Sequence, residues 1–182
     1  MYWYALFVKT GQEHKVLLEI DKIWKIEGIK PFVPVCDTHF RKAGRVYSEK
    51  RRLYPGYVFV EAEYRGLEFY ELTHLFILRS EHALKLLRYG GKNYEGDPFE
   101  MNQEEYSNLL QLYNKEYCIE MSKGFMEGDS IYISDGPLKG FESRIKNINR
   151  HRMEAVVEIE MMGRMIDITV GLEIIEKLLP KL

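Results

Sequence analysis

The side chains of this chain that are best suited to chemistry are cations in or beside turns of its last third. Eight polar residues of this kind follow position 125: Lys139, Arg144, Lys146, Asn149, Arg150, His151, Arg152 and Arg164. Guanidinium and ammonium groups bind phosphates, and arginine or asparagine reaches base edges where an RNA helix opens. If the turns at 136–140 and 149–152 meet at one end of a small fold, these residues form one RNA-binding patch.

An ordinary set of solvated turns explains the same charges equally well. The patch also requires that the acids of this segment lie elsewhere, on strand faces, and these acids are Glu154, Glu158, Glu160 and Asp167.

A second concentration of positive charge covers residues 41–52. It holds six basic residues and one acid, with a turn signal at Ala43-Gly44. This pattern predicts a basic hairpin or loop. Phosphate contacts and simple solvation are both consistent with it.

Other kinds of chemistry lack the residues they need. Gly136 and Gly140 enclose Pro-Leu-Lys and do not lead into the Gly-Lys-Ser/Thr of a nucleotide-binding loop. Cys36 and His39 have no third partner in sequence, and the five histidines are scattered without metal-ligand spacing. We therefore expect no enzyme activity, no metal and no cofactor.

The composition limits the class of protein. The chain has 182 residues, of which 46% are hydrophobic and 30% charged, and its formal net charge is −2. This balance allows one or two cores and excludes binding of nucleic acid by bulk charge. No apolar run approaches a membrane span, and the residues after Met1 do not resemble a signal peptide. Two cysteines fit a reducing compartment, so we expect a cytoplasmic protein.

Residues 1–114 alternate between strand and helix patterns. Strands are predicted at 2–8, at 30–36 on a sheet edge because of two prolines, at 57–60 and at 83–89. A capping box at Thr10 and Glu13 predicts a helix with an apolar face formed by Val16, Ile20, Ile23 and Trp24. Further helices are predicted over 66–73 and after Asn102 and Glu105. The pattern predicts an α+β domain whose helices pack on a mainly antiparallel sheet.

The pattern changes after residue 114. Residues 115–124 show no periodicity and are predicted to be a linker. From 125 to 182 apolar residues alternate with polar ones between regularly spaced turns. Five short strands in so few residues predict a small five-stranded β-barrel.

Two sets of motifs in this order resemble NusG transcription factors. WYALF at 3–7, KTGQE at 9–13 and YPGYVFV at 54–60 are similar to the amino-terminal (NGN) domain of that family. GDSIYI at 128–133, DGPLKGF at 135–141 and GR at 163–164 are similar to its KOW domain. The resemblance implies an NGN domain at 1–114 and a KOW domain at 125–182.

The resemblance also implies partners for the first domain. In this family it docks on the clamp of RNA polymerase through apolar residues, and the matching positions here are Tyr54, Tyr57 and Phe59. In RfaH-like members, positions matching Lys9, Gln12 and Lys15 contact the non-template DNA strand. Core packing of the aromatic residues and a solvated helix start remain open as alternatives.

The implied function is transcription elongation and antitermination by a monomer. Met162, before Gly163-Arg164, departs from the bulky aromatic or aliphatic residue usual in housekeeping members. This departure favours a specialised paralog that binds an RNA hairpin in the leader of long biosynthetic operons. The alternatives are a general NusG that couples polymerase to a ribosome or termination factor, and a KOW-type RNA-binding protein of ribosomes.

Overall fold

The computed structural model of the protein describes residues 1–24, 26–90 and 95–175, apart from the side chain of Ile23. It divides into two compact units. The first comprises Met1–Pro34, Tyr54–Asn108 and Glu160–Arg164, and the second comprises Val35–Leu53, Leu109–Ile159 and the chain from Met165. The predicted bounds of 1–114 and 125–182 remain a prediction, and residues 176–182 of the second domain lie outside the described part.

Strands and helices are numbered along the chain. The strands are β1 (Tyr2–Val8), β2 (Ile29–Phe32), β3 (Val35–Lys42), β4 (Arg45–Arg52), β5 (Tyr57–Ala62), β6 (Ala83–Leu86), β7 (Cys118–Ile119), β8 (Ser122–Glu127), β9 (Ser130–Asp135), β10 (Ile145–Asn149), β11 (Glu154–Met161) and β12 (Arg164–Ile174). The α-helices are α1 (Glu13–Glu19), α2 (Leu67–Arg79) and α3 (Gln103–Leu112).

A four-stranded sheet in the order β2-β5-β1-β6 forms the centre of the first unit. Strand β1 has the predicted bounds and pairs antiparallel with β5, with Tyr4 opposite Val60 and Phe7 opposite Tyr57. The predicted edge strand is confirmed as β2, where Pro31 lies in the ladder. That strand ends at Phe32, so the prediction that it reaches Cys36 is wrong: Cys36 lies in the next strand, which begins at Val35.

Helices α1 and α2 contribute to the core cluster formed with one face of this sheet. The cluster contains Tyr4, Leu6, Val16, Ile20, Trp24, Val58, Val60, Phe69 and Phe76. Within it Trp24 stacks on Phe76, with ring centroids 4.9 Å apart. Full burial of such a side chain contributes about 1.5–3 kcal/mol. The predicted apolar face is confirmed for Val16 in α1 and for Ile20 and Trp24 in the π-helical segment Ile20–Trp24 that continues it, whereas the side chain of Ile23 lies outside the described residues.

An aromatic cluster forms around Trp3 in the same unit. Trp3 meets Phe32 and Tyr106 edge-on, each at a centroid distance of 5.0 Å. Phe59 lies 5.7 Å from Phe32 and 5.2 Å from Tyr54. Trp3 and Phe59 are on strand positions whose neighbours Tyr4, Val58 and Val60 belong to the helix-side core, so both faces of the sheet are covered.

Two elements differ in length from their predictions. Helix α2 extends to Arg79, six residues beyond the predicted end at Thr73, while strand β6 ends at Leu86 and not at Tyr89. Helix α3 begins as predicted, because the Asn102 side-chain oxygen accepts the Glu105 backbone N–H at 2.9 Å.

The second unit contains the predicted basic hairpin. Strands β3 and β4 pair antiparallel around Ala43-Gly44, where both residues have positive φ (50° and 76°). Two such residues make the tight turn that joins paired strands without splaying them.

The predicted linker contains regular structure. Strand β7 pairs parallel with β3, with Val35 opposite Cys118 and Cys36 opposite Ile119, and β8 begins at Ser122. These two short strand segments are too brief to show a period in sequence, and the assignment of 115–124 as the linker stays a prediction.

Five strands, of which β8 begins at Ser122 inside the predicted linker, form one sheet in the order β10-β11-β12-β8-β9. Strands β12 and β8 run parallel, with Leu172 opposite Ser122, while β8 and β9 are antiparallel. The five strands and their mutual order are thus observed, and closure of the sheet into a barrel stays a prediction.

Candidate functional site

A buried carboxylate joins the two motifs of the first unit. Glu13 is 1% exposed, and its Oε1 accepts the Gly56 N–H at 2.7 Å and the Gly11 N–H at 3.1 Å. Gly11 lies in the turn after β1 and Gly56 in the turn before β5. The carboxylate therefore fixes the Lys9–Glu13 segment against the Tyr54–Tyr57 turn.

This arrangement replaces the predicted capping box. Gln12 occupies the N-cap of α1 and makes no side-chain capping bond, while Thr10 is exposed. Glu13 is the first helical residue and not the third, because the helix begins two residues later than a Thr10 cap would require. The prediction that Thr10 and Glu13 cap each other is wrong, because Glu13 satisfies turn N–H groups instead.

The Pro55-Gly56 bend needs its glycine. Gly56 has φ of +88°, and its carbonyl accepts the Val8 N–H at 2.8 Å. A Cβ at this position would lie 3.0 Å from Thr10 Oγ1. Backbone angle and space together favour glycine here.

The three aromatic residues predicted to bind polymerase have different environments. Tyr54 is 3% exposed and Phe59 is 0% exposed, since both pack in the aromatic cluster around Trp3. The prediction that they form a contact surface is corrected: they support the bend from inside. Tyr57 is half-buried, and only this residue of the three offers part of its ring to solvent.

Tyr57 shares its surface with Phe7 and Lys85. The Phe7 and Tyr57 rings have centroids 5.5 Å apart, and Lys85 Nζ lies 5.7 Å from the Phe7 centroid. Phe7 is also half-buried, whereas Lys85 is exposed. We call these three residues the aromatic patch: two partly exposed rings with a cation over one of them.

Lys9, Gln12 and Lys15 flank the start of α1. Lys9 and Lys15 are exposed, and Gln12 is half-buried. The Lys9 N–H donates to the His82 carbonyl at 2.9 Å, and the Gln12 N–H donates to the Lys9 carbonyl at 2.9 Å. The Gln12 Oε1 atom is buried without a hydrogen-bond partner among the described residues. The backbone of this turn is thus fixed while the two ammonium groups reach solvent.

The two cationic turns of the second unit flank the same step of the β8–β12 ladder. The Leu138 N–H donates to Ser122 Oγ at 3.1 Å, and Ser122 pairs with Leu172. The Leu172 N–H donates in turn to the Met153 carbonyl at 2.9 Å. With paired strands ~4.8 Å apart, these links hold the Leu138 N–H and the Met153 carbonyl within about 15 Å of each other.

Most of the predicted RNA-binding side chains are exposed in these turns. Lys139, Asn149, Arg150, His151 and Arg152 are exposed, and Arg144 is half-buried at the end of a short 3₁₀ helix. The Asn149 side-chain oxygen accepts the Arg152 N–H at 3.0 Å, so Asn149 shapes the turn that presents the arginines.

Lys146 differs from the other cations. Its ammonium group forms ion pairs with Glu158 and with Asp167, the second at 2.9 Å, across the neighbouring strands β10, β11 and β12. Hydrogen bonds to Glu158 and to Asp167 raise the pKa of Lys146. The prediction that these acids lie away from the cations is therefore wrong at Lys146.

Arg164 belongs to the first unit with the Met162-Gly163 turn. In that turn the Met162 and Gly163 N–H groups donate to the Glu105 carboxylate at 2.8 and 2.9 Å. Arg164 is exposed, but Met162 is only 3% exposed. The structure thus groups Arg164 apart from the other seven predicted RNA-binding residues.

Cys36 and Cys118 are buried, and burial raises the pKa of each thiol to about 11. No group of three or more His, Cys, Asp or Glu side chains in residues 1–24, 26–90 and 95–175 is arranged to hold a metal ion. None of the described helices is long and apolar enough to cross a membrane.

Comparison with known proteins identifies the family. The family model described as "Transcription termination factor nusG" matches residues 1–110, which is more than half of the chain. The chain belongs to the NusG family.

Similar proteins match this NusG-family chain over most of its length. The transcription termination/antitermination protein NusG of Thermus thermophilus is 24% identical over 172 residues, covering 89% of this chain and 90% of that protein. The protein of the same name from Campylobacter jejuni is 24% identical over 182 residues, covering 97% of each chain. That of Halalkalibacterium halodurans is 22% identical over 183 residues, with 97% and 98% covered.

Within the NusG family motifs, two residues of the site were not predicted. Phe7 contacts Tyr57 because it is directly opposite on β1, a pairing that alternation in each strand could have suggested once the register was known. Glu105 was predicted only as part of a helix start, and its hold on Met162 joins residues 57 positions apart, which no local pattern shows.

Proposed function

We propose that this NusG-family chain is a transcription elongation and antitermination factor with two binding surfaces. The aromatic patch binds the clamp region of RNA polymerase, and the turns of the second unit bind a structured hairpin in leader RNA. In this proposal the chain acts as a cytoplasmic monomer on long biosynthetic operons, in the manner of LoaP, a specialised paralog in this family.

The polymerase surface is supported above all by the half-exposed pair of Phe7 and Tyr57. Partly exposed aromatic rings release water on docking, and a tyrosine keeps its hydroxyl hydrogen bond. Buried Tyr54 packs against Phe59, which lies two residues from Tyr57 on β5, and Glu13 fixes the Gly56 bend beside it. The patch is therefore rigid before binding, which lowers the entropic cost of docking.

A DNA contact beside this surface is part of the proposal. Lys9 and Gln12 lie in the segment that Glu13 ties to the Tyr54–Tyr57 turn, and Lys15 follows in α1. A factor that docks through Tyr57 thus carries two exposed ammonium groups next to its interface. Such groups suit the phosphates of the non-template strand.

The RNA surface is supported by the hydrogen bonds that connect both cationic turns to the same pair of residues, Ser122 and Leu172. One of these turns carries Lys139 and the other carries Arg150–Arg152. Exposed cations on neighbouring turns bind phosphates of a folded RNA, and Arg or Asn reads a base where a loop or bulge opens the helix. Lys146 is left out of this surface because Glu158 and Asp167 neutralise it. Linking two modest sites in one chain raises their combined affinity for a complex that offers both.

A second candidate is a general termination or antitermination factor without a dedicated RNA hairpin. The relatives reported above carry the name transcription termination/antitermination protein NusG and are covered almost completely. Met162 precedes the Gly163-Arg164 turn. It is buried and its N–H donates to Glu105, so its side chain offers little surface to a ribosomal or termination-factor partner of a general factor. Co-sedimentation with ribosomal small subunits separates the candidates, because only the general factor is expected to bind them.

The experiment that tests the polymerase half is retention of purified RNA polymerase by the immobilised full chain. We expect Tyr57→Ala to weaken polymerase binding about 30-fold, since an aromatic residue at an interface centre contributes ~2 kcal/mol. Tyr70→Ala is the matched control: Tyr70 is another half-buried tyrosine of this unit, stacked on Phe99 at 4.7 Å. Equal retention of both variants and the parent chain contradicts the proposal.

A further inference from the structure

The tip of the β3–β4 hairpin carries an exposed stack of two aromatic rings. Phe40 and Tyr47 are directly opposite in the ladder, with ring centroids 5.5 Å apart and planes inclined by 18°. Phe40 is 36% exposed and Tyr47 43% exposed. The stack therefore offers ring surface to solvent in a part of the chain that does not belong to the aromatic patch.

Two cations share the face of this stack. Directly opposite residues of a hairpin point to the same side, and the side repeats every second residue. Lys42 and Arg45 are opposite each other two positions beyond Phe40 and Tyr47, so all four lie on one face. We call these four residues the hairpin tip face.

On this face the cations at the tip have no ion-pair partner among the described residues, whereas the charges toward the base of the hairpin are paired. Within the described part of the chain, neither Lys42 nor Arg45 forms an ion pair. Toward the base of the same face, Glu49 is held by Arg51 at 3.5 Å, and Arg51 also pairs with Glu154 at 2.7 Å. The nearest carboxylates are thus occupied, and the tip is left with positive charge beside stacked rings.

We propose that the hairpin tip face binds single-stranded DNA, with an unpaired base stacked on the Phe40–Tyr47 rings and its phosphates at Lys42 and Arg45. Aromatic rings that alternate with cations are the usual means of holding unpaired bases without sequence preference. The bases of a duplex already stack on one another, so their faces cannot stack on the Phe40 and Tyr47 rings. Base faces and the backbone charge of a single strand match both features of the tip.

The assignment to DNA rests on the proposed function, because a transcribing polymerase keeps DNA strands unpaired beside its bound factors. Preference for RNA requires a group that reads the 2′-hydroxyl. The tip face offers two cations, a phenyl ring and one phenol, and no carboxylate or amide side chain. We therefore expect RNA of the same length to bind no more tightly than DNA.

The test is fluorescence anisotropy of a labelled oligothymidine of about 12 nucleotides, titrated with the full chain without polymerase at low salt. We expect Tyr47→Ala to weaken binding about 5- to 20-fold, and Tyr47→Trp to retain it. The matched control is Tyr132→Ala: Tyr132 is 46% exposed and stacks on Phe125 with ring centroids 5.4 Å apart. This control is expected to bind within about twofold of the parent chain.

The contribution of Lys42 and Arg45 is measured separately, by the salt dependence of the affinity. Replacing Lys42 and Arg45 by glutamine removes two phosphate contacts, so the slope of log affinity against log salt should fall by about 1.4 for a single strand. Circular dichroism shows whether each variant is folded, and the solvent-exposed Lys42 and Arg45 substitutions test the proposal should Tyr47→Ala unfold the hairpin.

Three results overturn the inference: absence of oligothymidine binding, equal affinity of Tyr47→Ala and Tyr132→Ala, and clearly tighter binding of oligouridine. Polymerase retention by Tyr47→Ala is measured in parallel and is expected to equal that of the parent chain. If Tyr57→Ala retains polymerase like the parent chain while the oligothymidine results are as expected, only the polymerase half of the proposed function is wrong. If Tyr57→Ala loses polymerase as expected but the oligothymidine results are not, only this inference is wrong.

Discussion

The Glu105 carboxylate accepts the Met162 backbone N–H at 2.8 Å in a site that is almost completely closed to water. Three further donors reach it: the Gly163 N–H at 2.9 Å, the Tyr89 hydroxyl at 2.9 Å and the Asn102 side-chain amide at 3.0 Å. Four donors on two oxygens satisfy a buried charge that would otherwise be very costly. Glu105 therefore fixes the turn that precedes Arg164.

Substitution of Glu105 by glutamine should lower the free energy of unfolding by about 2–3 kcal/mol. One carboxylate oxygen becomes an NH₂ group, which faces two donors and leaves them without an acceptor. Urea denaturation measures the loss. Glu104→Gln, on the exposed side of the same helix, should change stability by less than about 0.5 kcal/mol. A Glu105→Gln variant as stable as the Glu104→Gln control is incompatible with the described network.

Replacement of Glu13 should have graded effects. Glutamine keeps a carbonyl oxygen for the Gly11 and Gly56 N–H groups, so Glu13→Gln should cost about 1 kcal/mol. Alanine leaves both groups without that acceptor, and Glu13→Ala should cost about 2–3 kcal/mol and weaken polymerase retention as the bend loosens. Equal stability of the two variants in urea denaturation would show that the carboxylate does not hold this turn.

The two cysteines should be unreactive in the folded chain. Burial raises the pKa of Cys36 and of Cys118 to about 11, so near pH 8 only about one thiol in a thousand is ionised. A thiol reagent should modify both slowly in native buffer and rapidly in denaturant. Because the folded pKa lies above the unfolded value of 9.0, stability should fall as pH rises from about 9 to 11. Rapid modification of either cysteine in the native chain would show that it is accessible and ionised.

Much of the first unit and the basic hairpin of the second could be predicted from local pattern. The strand at 2–8, the edge strand interrupted by proline and the Asn102 cap each depend on residues close in sequence, and each is observed. The basic hairpin follows from its turn signal and its run of charges. Such features are decided by backbone preference and by periodicity, which a single sequence contains.

The remaining features depend on distant residues. Alternation showed that Tyr57 and Phe59 share a face but not that Trp3 and Phe32 cover Phe59. The ion pairs of Lys146 need the register of three strands, and the role of Glu13 needs Gly56, 43 positions away. Strand pairing and packing decide these contacts. The sequence therefore predicted most residues of the site but only some of the contacts between them.

The cations of the second unit should contribute unequally to RNA binding. Lys146→Gln should leave the affinity for a hairpin RNA within about twofold, because Glu158 and Asp167 already compensate its charge. Arg152→Gln removes an exposed cation of the 149–152 turn and should reduce the slope of log affinity against log salt by about 1. Fluorescence anisotropy with the full chain measures both. A larger loss for Lys146→Gln than for Arg152→Gln would contradict the assigned surface.

Terminator readthrough by purified polymerase, on templates with and without a leader hairpin, tests the two-surface account most directly. The parent chain should raise readthrough only on the hairpin template. Tyr57→Ala should abolish the rise in readthrough while it still binds hairpin RNA normally. The double variant Arg150→Gln/Arg152→Gln should also abolish the rise, while it still binds polymerase. Readthrough that is equal on both templates, or that survives both sets of substitutions, would contradict the account.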